Sequence, residues 1–431
     1  MVKTIYYTFS QMRKNLQKID PQIQKLIQEE EKRQEEVLEM IPSENYTYPE
    51  VLALLGSVFT NKYSEGLPGK RYYGGQEFTD IIETLAIERA KSLFNAEHAN
   101  VQPLSGSVMN QVVYFGLLEP GDSILAMDLS HGGHLTHGSP ASVMGKIFDF
   151  HRYRTDPADG SIDFDEVRKR ALKYRPKMIL CGYSSYPRDL DYAAFKSIAD
   201  EIGALTMADI SHFGGLVAGK AMKSPIDAGF DVVTSTSHKS MRGPRGGMVL
   251  CRKRFADRIN HAVFPGLQGG PHMNQVAAIA FMLKKAASDE FKTYAQQVLK
   301  NSRALAGGLL EQGVKLVTGG TDNHMMVIDT IASYGLNGEE SQVLLDSVGI
   351  TANKQVIPDD PLPPMEASGL RLGTPAATTR GMLEDDMKKI SIWIGQTLSN
   401  PKDYNLHKRF REESKEFCRQ FHVPGIVDFK N

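Results

Sequence analysis

The sequence predicts an α/β protein: a mostly parallel sheet covered by helices, with a smaller α+β region at the carboxyl-terminal end. Between residues 80 and 285 helical patterns alternate with short apolar runs, each four to seven residues long and rich in Val, Ile, Leu and Met. Near residue 288 the texture changes and a long helical pattern opens. Short continuous apolar runs, separated by helices or long connections, mark strands buried on both faces.

Asp20-Pro21 pairs a capping side chain with the favoured first-turn proline, so a helix starts there. Apolar residues follow at Ile23, Leu26 and Ile27, but Gln28 to Glu36 contains none. Such a helix cannot be buried all round; it stands in solvent or clasps a partner subunit. A second helix is expected from Phe78 to Phe94, and a third at the amphipathic run Val108 to Leu118. Strands follow at Ser123 to Asp128, Met178 to Gly182, Leu205 to Asp209, Asp231 to Thr236 and Gly247 to Cys251. Beyond them come a helix from Asp289 to Gln312, a strand at Met325 to Asp329, a helix with Asn337 near its cap, a strand at Gly349 to Asn353, and two closing helices. The expected division is an arm over 1–45, a large α/β domain over 46–287 and a small domain over 288–431.

Length and composition suit that division. At 431 residues two or three domains are expected. The 41% hydrophobic and 23% charged content is that of an ordinary folded chain. Lys+Arg 50 against Asp+Glu 51 leaves a net charge of −1, without the basic excess that a nucleic-acid partner calls for. Cys181, Cys251 and Cys418 are widely spaced and odd in number. They make neither a disulfide framework nor a zinc site, so no metal is expected and the compartment reads as reducing. No apolar stretch approaches the ~20 residues that span a membrane. The first residues, MVKTIYYTFSQMRK, lack an apolar h-region and the Ser/Arg richness of a transit peptide. The expectation is a cytoplasmic globular protein with neither nucleic-acid nor membrane partner.

In a parallel α/β sheet functional groups gather beyond the carboxyl ends of the strands. Asp209 ends the run LTMAD, and Ser237-His238-Lys239 follows the strand DVVTST. Ser105-Gly106-Ser107 stands where a helix begins, offering free N–H groups and a favourable dipole to a phosphate. Read singly, these are an ordinary N-cap, a turn carboxylate and a solvated loop. Together, an acid, a lysine and a phosphate cradle on one sheet suggest pyridoxal phosphate, whose aldehyde needs a lysine and whose ring nitrogen needs a carboxylate. A P-loop nucleotidase is disfavoured, since no G-x-x-x-x-G-K-[ST] occurs.

The stretch NKYSEGLPGKRYYGG (Asn61 to Gly75) resembles the signature of the serine hydroxymethyltransferase family. So do NVQPLSGS, HGGHLTHGS, DISHFGGLV, TSHKSMRGPRGG and GLRLGTP, in the family's order from about Ile41 to Met382. The resemblance implies a fold-type-I pyridoxal-phosphate transferase whose large domain holds a mostly parallel seven-stranded sheet. It implies that Lys239 forms the Schiff base, Asp209 pairs with the pyridine nitrogen and His134 stacks on the ring. Ser105, Gly106, Ser107 and His238 would surround the phosphate, with Gly269 and Gly270 reaching the phosphate of a partner subunit. Ser184 and His212 would lie near the phenolate oxygen, Thr236 would position the lysine, and Arg245 would fix the loop behind it. Arg371, with Ser43, would grip the substrate carboxylate; a guanidinium suits that planar group. Tyr63, Glu65 and Tyr73 would handle proton movements from the neighbouring subunit. The implied assembly is an obligate homodimer, or a homotetramer of such dimers.

The implied reaction interconverts serine and glycine with tetrahydrofolate as one-carbon carrier. Glu65, Tyr72, Leu129, Gly133, His134, Leu135 and Gln355 match the folate positions. The segment NKQVIPDDPLPPM departs from the family pattern, with Gln355 for asparagine, and Pro363 and Met365 for a serine and an aromatic residue. Gln keeps the amide of Asn but moves it by one methylene. These departures leave, as alternatives, a folate-independent β-hydroxy amino acid aldolase, or a hydroxymethyltransferase for α-methylserine or with a modified pterin. A non-catalytic binding protein on this fold is the third reading, against which Lys239, Asp209, Arg371 and Glu65 stand.

Overall fold

The computed structural model describes residues 15–426; residues 1–14 of the expected arm lie outside it. A seven-stranded sheet forms the centre: β1 (His98–Asn100), β2 (Ser123–Met127), β3 (Asp149–Tyr153), β4 (Met178–Gly182), β5 (Leu205–Asp209), β6 (Val232–Thr236) and β7 (Gly247–Cys251). Their spatial order is β1-β7-β6-β5-β4-β2-β3. Within this sheet only β7 runs antiparallel to its neighbours, β6 and β1. The five strands expected from apolar runs are the five inner ones. The two without such a run, β1 and β3, are the edges, where one side of a strand need not be apolar.

Side chains alternate across the sheet, as a period of two requires. Ile124, Ala126, Met178 and Leu180 join one core layer, whereas Leu125, Met127, Ile179 and Cys181 join the other. Among the helices are α1 (Pro21–Glu36), α2 (Glu77–Phe94), α3 (Gly106–Leu117), α4 (Met273–Ala286), α5 (Asp289–Leu310) and α6 (Glu384–Ser399). Helix α3 covers the first face with Met109, Val112 and Val113. Helices α2 and α4 cover the second with Ala86, Ala90, Val276 and Ile279.

A second, three-stranded antiparallel sheet follows, of β8 (Met325–Asp329), β9 (Asn353–Gln355) and β10 (Gly369–Gly373), in the order β8-β10-β9. It has its own core with α6, built on Met326, Ile328, Leu370, Leu372, Ile390 and Ile394. The expected strand over Gly349 to Asn353 is broken. Ile350–Thr351 pairs in parallel with Leu38–Glu39, while Asn353 opposes Arg371 in β10. The chain changes partners at Ala352 because Ile350 belongs in the core beside Leu38, whereas Asn353 serves a polar neighbour. Leu38 and Met40 lie in this second core, and α5 contributes Phe291 and Val298 to the first core but Leu305 and Leu309 to the second. Residue 288 therefore falls at the start of a helix shared by both cores.

Helix α1 begins as expected, with Asp20 Oδ1 accepting from the Ile23 N–H at 3.1 Å. Its apolar residues are left partly open to solvent, with Ile23 49% and Leu26 58% exposed. Together with Ile27 and Leu52 they line an open cavity of about 930 Å³. Among the described residues no helix is long and apolar enough to cross a membrane.

Candidate active site

The carboxyl ends of β4, β5 and β6 converge on one cavity of about 150 Å³. Ser105, Gly106 and Ser107 form one wall, Asp209 and His134 another, and Ser184, His212, Thr236, His238 and Lys239 complete it. An adjoining cavity of about 680 Å³ shares His134, Ser184, His212 and Lys239 and extends to Ser43, Leu129, Gly133, Leu135, Gln355 and Arg371. Every expected position named in these two sentences thus lies in one continuous space.

Asp209, at the end of β5, is buried and held by hydrogen bonds at both oxygens. Its Oδ1 accepts from the Ser211 N–H at 3.0 Å and the Ser211 hydroxyl at 2.5 Å. Its Oδ2 accepts from Asn110 Nδ2 at 2.8 Å and His137 Nε2 at 3.4 Å. Burial opposes ionisation, but the imidazoles of His137 and His134 and the Asn110 amide outweigh it and hold the carboxyl well below its usual range. His137 Nδ1 accepts the His134 backbone N–H at 3.2 Å, which leaves Nε2 to carry the proton toward Asp209. Ligand-type atoms of His134, His137 and Asp209 lie within 4.8 Å of one another.

Burial, with His137 nearby, pushes the His134 imidazole down to about 4. Its Nδ1 accepts from the Thr136 N–H at 3.2 Å, so a neutral ring is held edge-on and its face is left free. Ser105 caps α3, its Oγ accepting the Val108 N–H at 3.4 Å. A Cβ added at Gly106 would meet Thr236 Cγ2 at 2.9 Å, so the helix N-terminus approaches β6 closely only because residue 106 is glycine. Gly106→Val is therefore expected to push α3 off the sheet, lowering the melting temperature by several degrees through overpacking of about 1–3 kcal/mol. Pyridoxal-phosphate affinity should fall with it, and calorimetry with equilibrium dialysis reads both.

Lys239 is half-buried where the two cavities meet. Burial pushes its ammonium down to about 8; Asp209 acts against that shift, while Arg371 and Arg245 add to it. Below that pH the amine is charged and not nucleophilic, and above it the amine is neutral. The rate at which the apoenzyme takes up pyridoxal phosphate should rise about tenfold per pH unit toward 8 and then level. A plateau only near pH 10 would contradict the burial effect.

Arg371, the centre of β10, is 9% exposed. Its Nε donates to Asn353 Oδ1 at 3.2 Å and a terminal nitrogen donates to the Ser184 carbonyl. Among the described residues it forms no ion pair with a carboxylate. Beside it lies His324, which the sequence reading did not single out. It is fully buried, neither ring nitrogen has a hydrogen-bond partner, and its ring centroid is 5.6 Å from that of His212. Asn110, His137 and Asn353 were also missed. The three-residue step from His134 to His137 was a visible signal; Asn110 and Asn353 gave none, because tertiary folding alone brings them to Asp209 and Arg371.

The remaining expected positions form a second group outside these cavities. Tyr63 donates to Glu65 Oε1 at 3.1 Å, and the Tyr63 and Tyr73 rings are 5.0 Å apart. A Cβ built on Gly269 would lie 3.4 Å from Glu65 Oε1, and one on Gly270 would lie 3.4 Å from the Tyr63 ring. Tyr63 is 54% and Tyr72 73% exposed. Glu65 is half-buried in the single chain. The Tyr72 ring lies against Phe264, at 5.4 Å between centroids.

The buried carboxylate, the lysine and the capped helix terminus fit pyridoxal phosphate. The Nδ1 atoms of His238 and His212, buried and without partners, are further polar groups for it to engage. Fold and site together define an α/β enzyme that depends on pyridoxal phosphate. The chain belongs to the serine hydroxymethyltransferase family, whose model matches residues 16–394. It is a transferase that interconverts serine and glycine with tetrahydrofolate.

Proposed function

We propose that the enzyme works as a homodimer with shared active sites, each Lys239 cavity completed by Tyr63, Glu65, Tyr73, Gly269 and Gly270 of the partner subunit. One observation carries this reading: those five residues form a half-buried to exposed group of their own, outside the adjoining cavities that hold Lys239, Asp209 and Arg371. The exposed apolar face of α1 supports it, as a surface for the arm to lay on a second copy. The expected division into arm, large domain and small domain belongs to the same proposal. The free, buried thiols of Cys181, Cys251 and Cys418 favour a reducing cytoplasm.

When bound, pyridoxal phosphate supplies an electron sink for negative charge at the substrate α-carbon. The chain's residues do the rest. The N-terminus of α3, with Ser105, Ser107 and His238, binds the phosphate. Asp209 keeps a proton on the ring nitrogen, and the neutral face of His134 packs against the ring. Arg371 and Ser43 bind the serine carboxylate and so orient the α-carbon substituents. Glu65 of the partner subunit takes or returns the proton at the serine hydroxyl. Leu129 and Leu135 line the space for the pterin and aminobenzoate and exclude water. Gln355 reaches that space with its amide N–H on the Val356 carbonyl at 3.1 Å, a bond it exchanges to meet a pterin edge.

Mixing two inactive variants tests the shared site. Lys239→Ala and Glu65→Gln homodimers each lack a complete site. Randomly reassorted dimers should recover about a quarter of wild-type activity, because half are hybrids with one intact site. No recovery, with hybrids shown to form, would mean that each subunit supplies its own Glu65.

A further inference from the structure

The hairpin that carries Glu65 is held by a buried polar network that the reaction itself does not use. Arg71 has a side chain only 3% exposed and meets four acceptors. One terminal nitrogen donates to the carbonyls of Ser64 and Gly66, both at 2.9 Å, and these are the residues on either side of Glu65. Its Nε donates to Asp80 at 2.8 Å and its other nitrogen to Glu83 at 2.6 Å. The Tyr72 N–H closes the hairpin onto the Glu65 carbonyl at 3.1 Å. Gly66, at φ +98°, could not carry a side chain, because a Cβ would meet the Lys70 carbonyl at 2.3 Å.

The network continues into the chain's own cofactor site. Gln102 Nε2 donates both to the Gly66 carbonyl at 3.0 Å and to Glu83 at 2.7 Å. Two residues on, the Leu104 N–H donates to Gln268 Oε1 at 2.9 Å, and Gln268 Nε2 donates back to the Gln102 carbonyl at 3.0 Å. Residues 102–104 lead directly into the phosphate cradle at Ser105, and Gln268 precedes Gly269-Gly270. A single chain of buried and part-buried hydrogen bonds thus joins the cradle to both segments destined for the other subunit. Arg71 cannot be replaced by a point charge here, because four acceptors in fixed directions need a planar fork.

We propose that Arg71, Glu83 and Gln102 are positioning residues that set Glu65 for proton transfer in the partner subunit's site, using the chain's own phosphate cradle as the fixed reference. The proposal rests on the shared-site reading above. Arg71→Lys keeps the charge and loses the fork. It should lower kcat for serine cleavage on the order of 10²-fold, as a misplacement of about 1 Å does, with serine KM and bound cofactor unchanged.

Hybrid dimers isolated through two affinity tags locate the defect. In the first hybrid, Arg71→Lys pairs with Lys239→Ala. Its one lysine-bearing site receives Glu65 from the subunit with an intact clamp and should turn over at the wild-type rate per site. In the second, a chain carrying both substitutions pairs with a wild-type chain. Its one lysine-bearing site receives Glu65 from a loosened clamp and should be slowed about as much as the Arg71→Lys homodimer. Equal rates, or a first hybrid slower than the second, would overturn the proposal, since a defect that is merely structural follows the subunit carrying Arg71→Lys and so slows the first hybrid, whose working lysine lies in that subunit. Gln102→Met, uncharged and similar in size, is read in the same two hybrids and carries the test if Arg71→Lys does not fold. The hybrid of Glu65→Gln with Lys239→Ala separates the two ideas: its inactivity would remove the shared site itself, whereas its activity beside equal or reversed Arg71 hybrids removes only the clamp.

Discussion

Lys239→Ala is expected to lower kcat for serine cleavage by roughly 10³-fold or more, the scale of losing the amine that bonds the cofactor covalently. Among the described residues no other lysine lines either cavity, so no second amine stands in reach. The protein should nevertheless fold. The folded-state value near 8 lies below the ordinary lysine value of 10.5, so the folded chain binds the proton less tightly than the unfolded one. Stability then rises with pH between those two values, and below about 8 the buried charge is a full penalty. Removing it should leave the cofactor-free protein at least as stable at pH 7. Turnover assays beside thermal melts at pH 7 and pH 10 check both halves. Substantial residual turnover, or a melt that collapses at pH 7 alone, would contradict the assignment.

Arg371→Leu is expected to raise the KM for serine by about 10²-fold or more, while bound pyridoxal phosphate stays at its wild-type level. Burial pushes the guanidinium down only to about 10, so at neutral pH it stays charged. Its neighbours are an amide and a carbonyl, which satisfy hydrogen bonds without neutralising the charge. A buried cation without a counter-ion is costly, and a substrate carboxylate relieves that cost. Losing one side of a buried charge pair typically costs 2–5 kcal/mol or more, and about 1.4 kcal/mol is tenfold. Arg371→Lys should recover part of this, since the charge returns without the fork. An unchanged KM in the leucine variant would remove Arg371 from substrate binding.

The inner strands and the polarity of α1 were legible because each is written in local pattern. Inner strands are buried on both faces and become runs such as MILCG and VVTST. The edge strand DFHRY has no such need and carried no signal. Lys239, Asp209 and the Ser-Gly-Ser turn could be read because parallel topology obliges strand ends to face one side. Their roles in full came from the ordered resemblance of motifs around them, and the family match over 16–394 agrees with it.

Side-chain partnership at long range was not legible. Asn110 meets Asp209 across 99 positions of sequence, and Gln102 meets Gly66 across 36, with no spacing rule to announce either pair. The burial of Arg371 was foreshadowed by its apolar run, but its lack of an anionic neighbour needed the packed interior. Likewise the sequence placed Glu65 in a motif, whereas only the tertiary structure set it on an outward face, away from its own lysine. Local pattern and topology therefore determined the sheet and pointed to the cofactor chemistry, while the ordered resemblance of motifs supplied the reaction class. Which polar groups find each other, and which are left for a partner or a substrate, was decided by three-dimensional packing, because desolvation and hydrogen-bond directions exist only once distant segments meet.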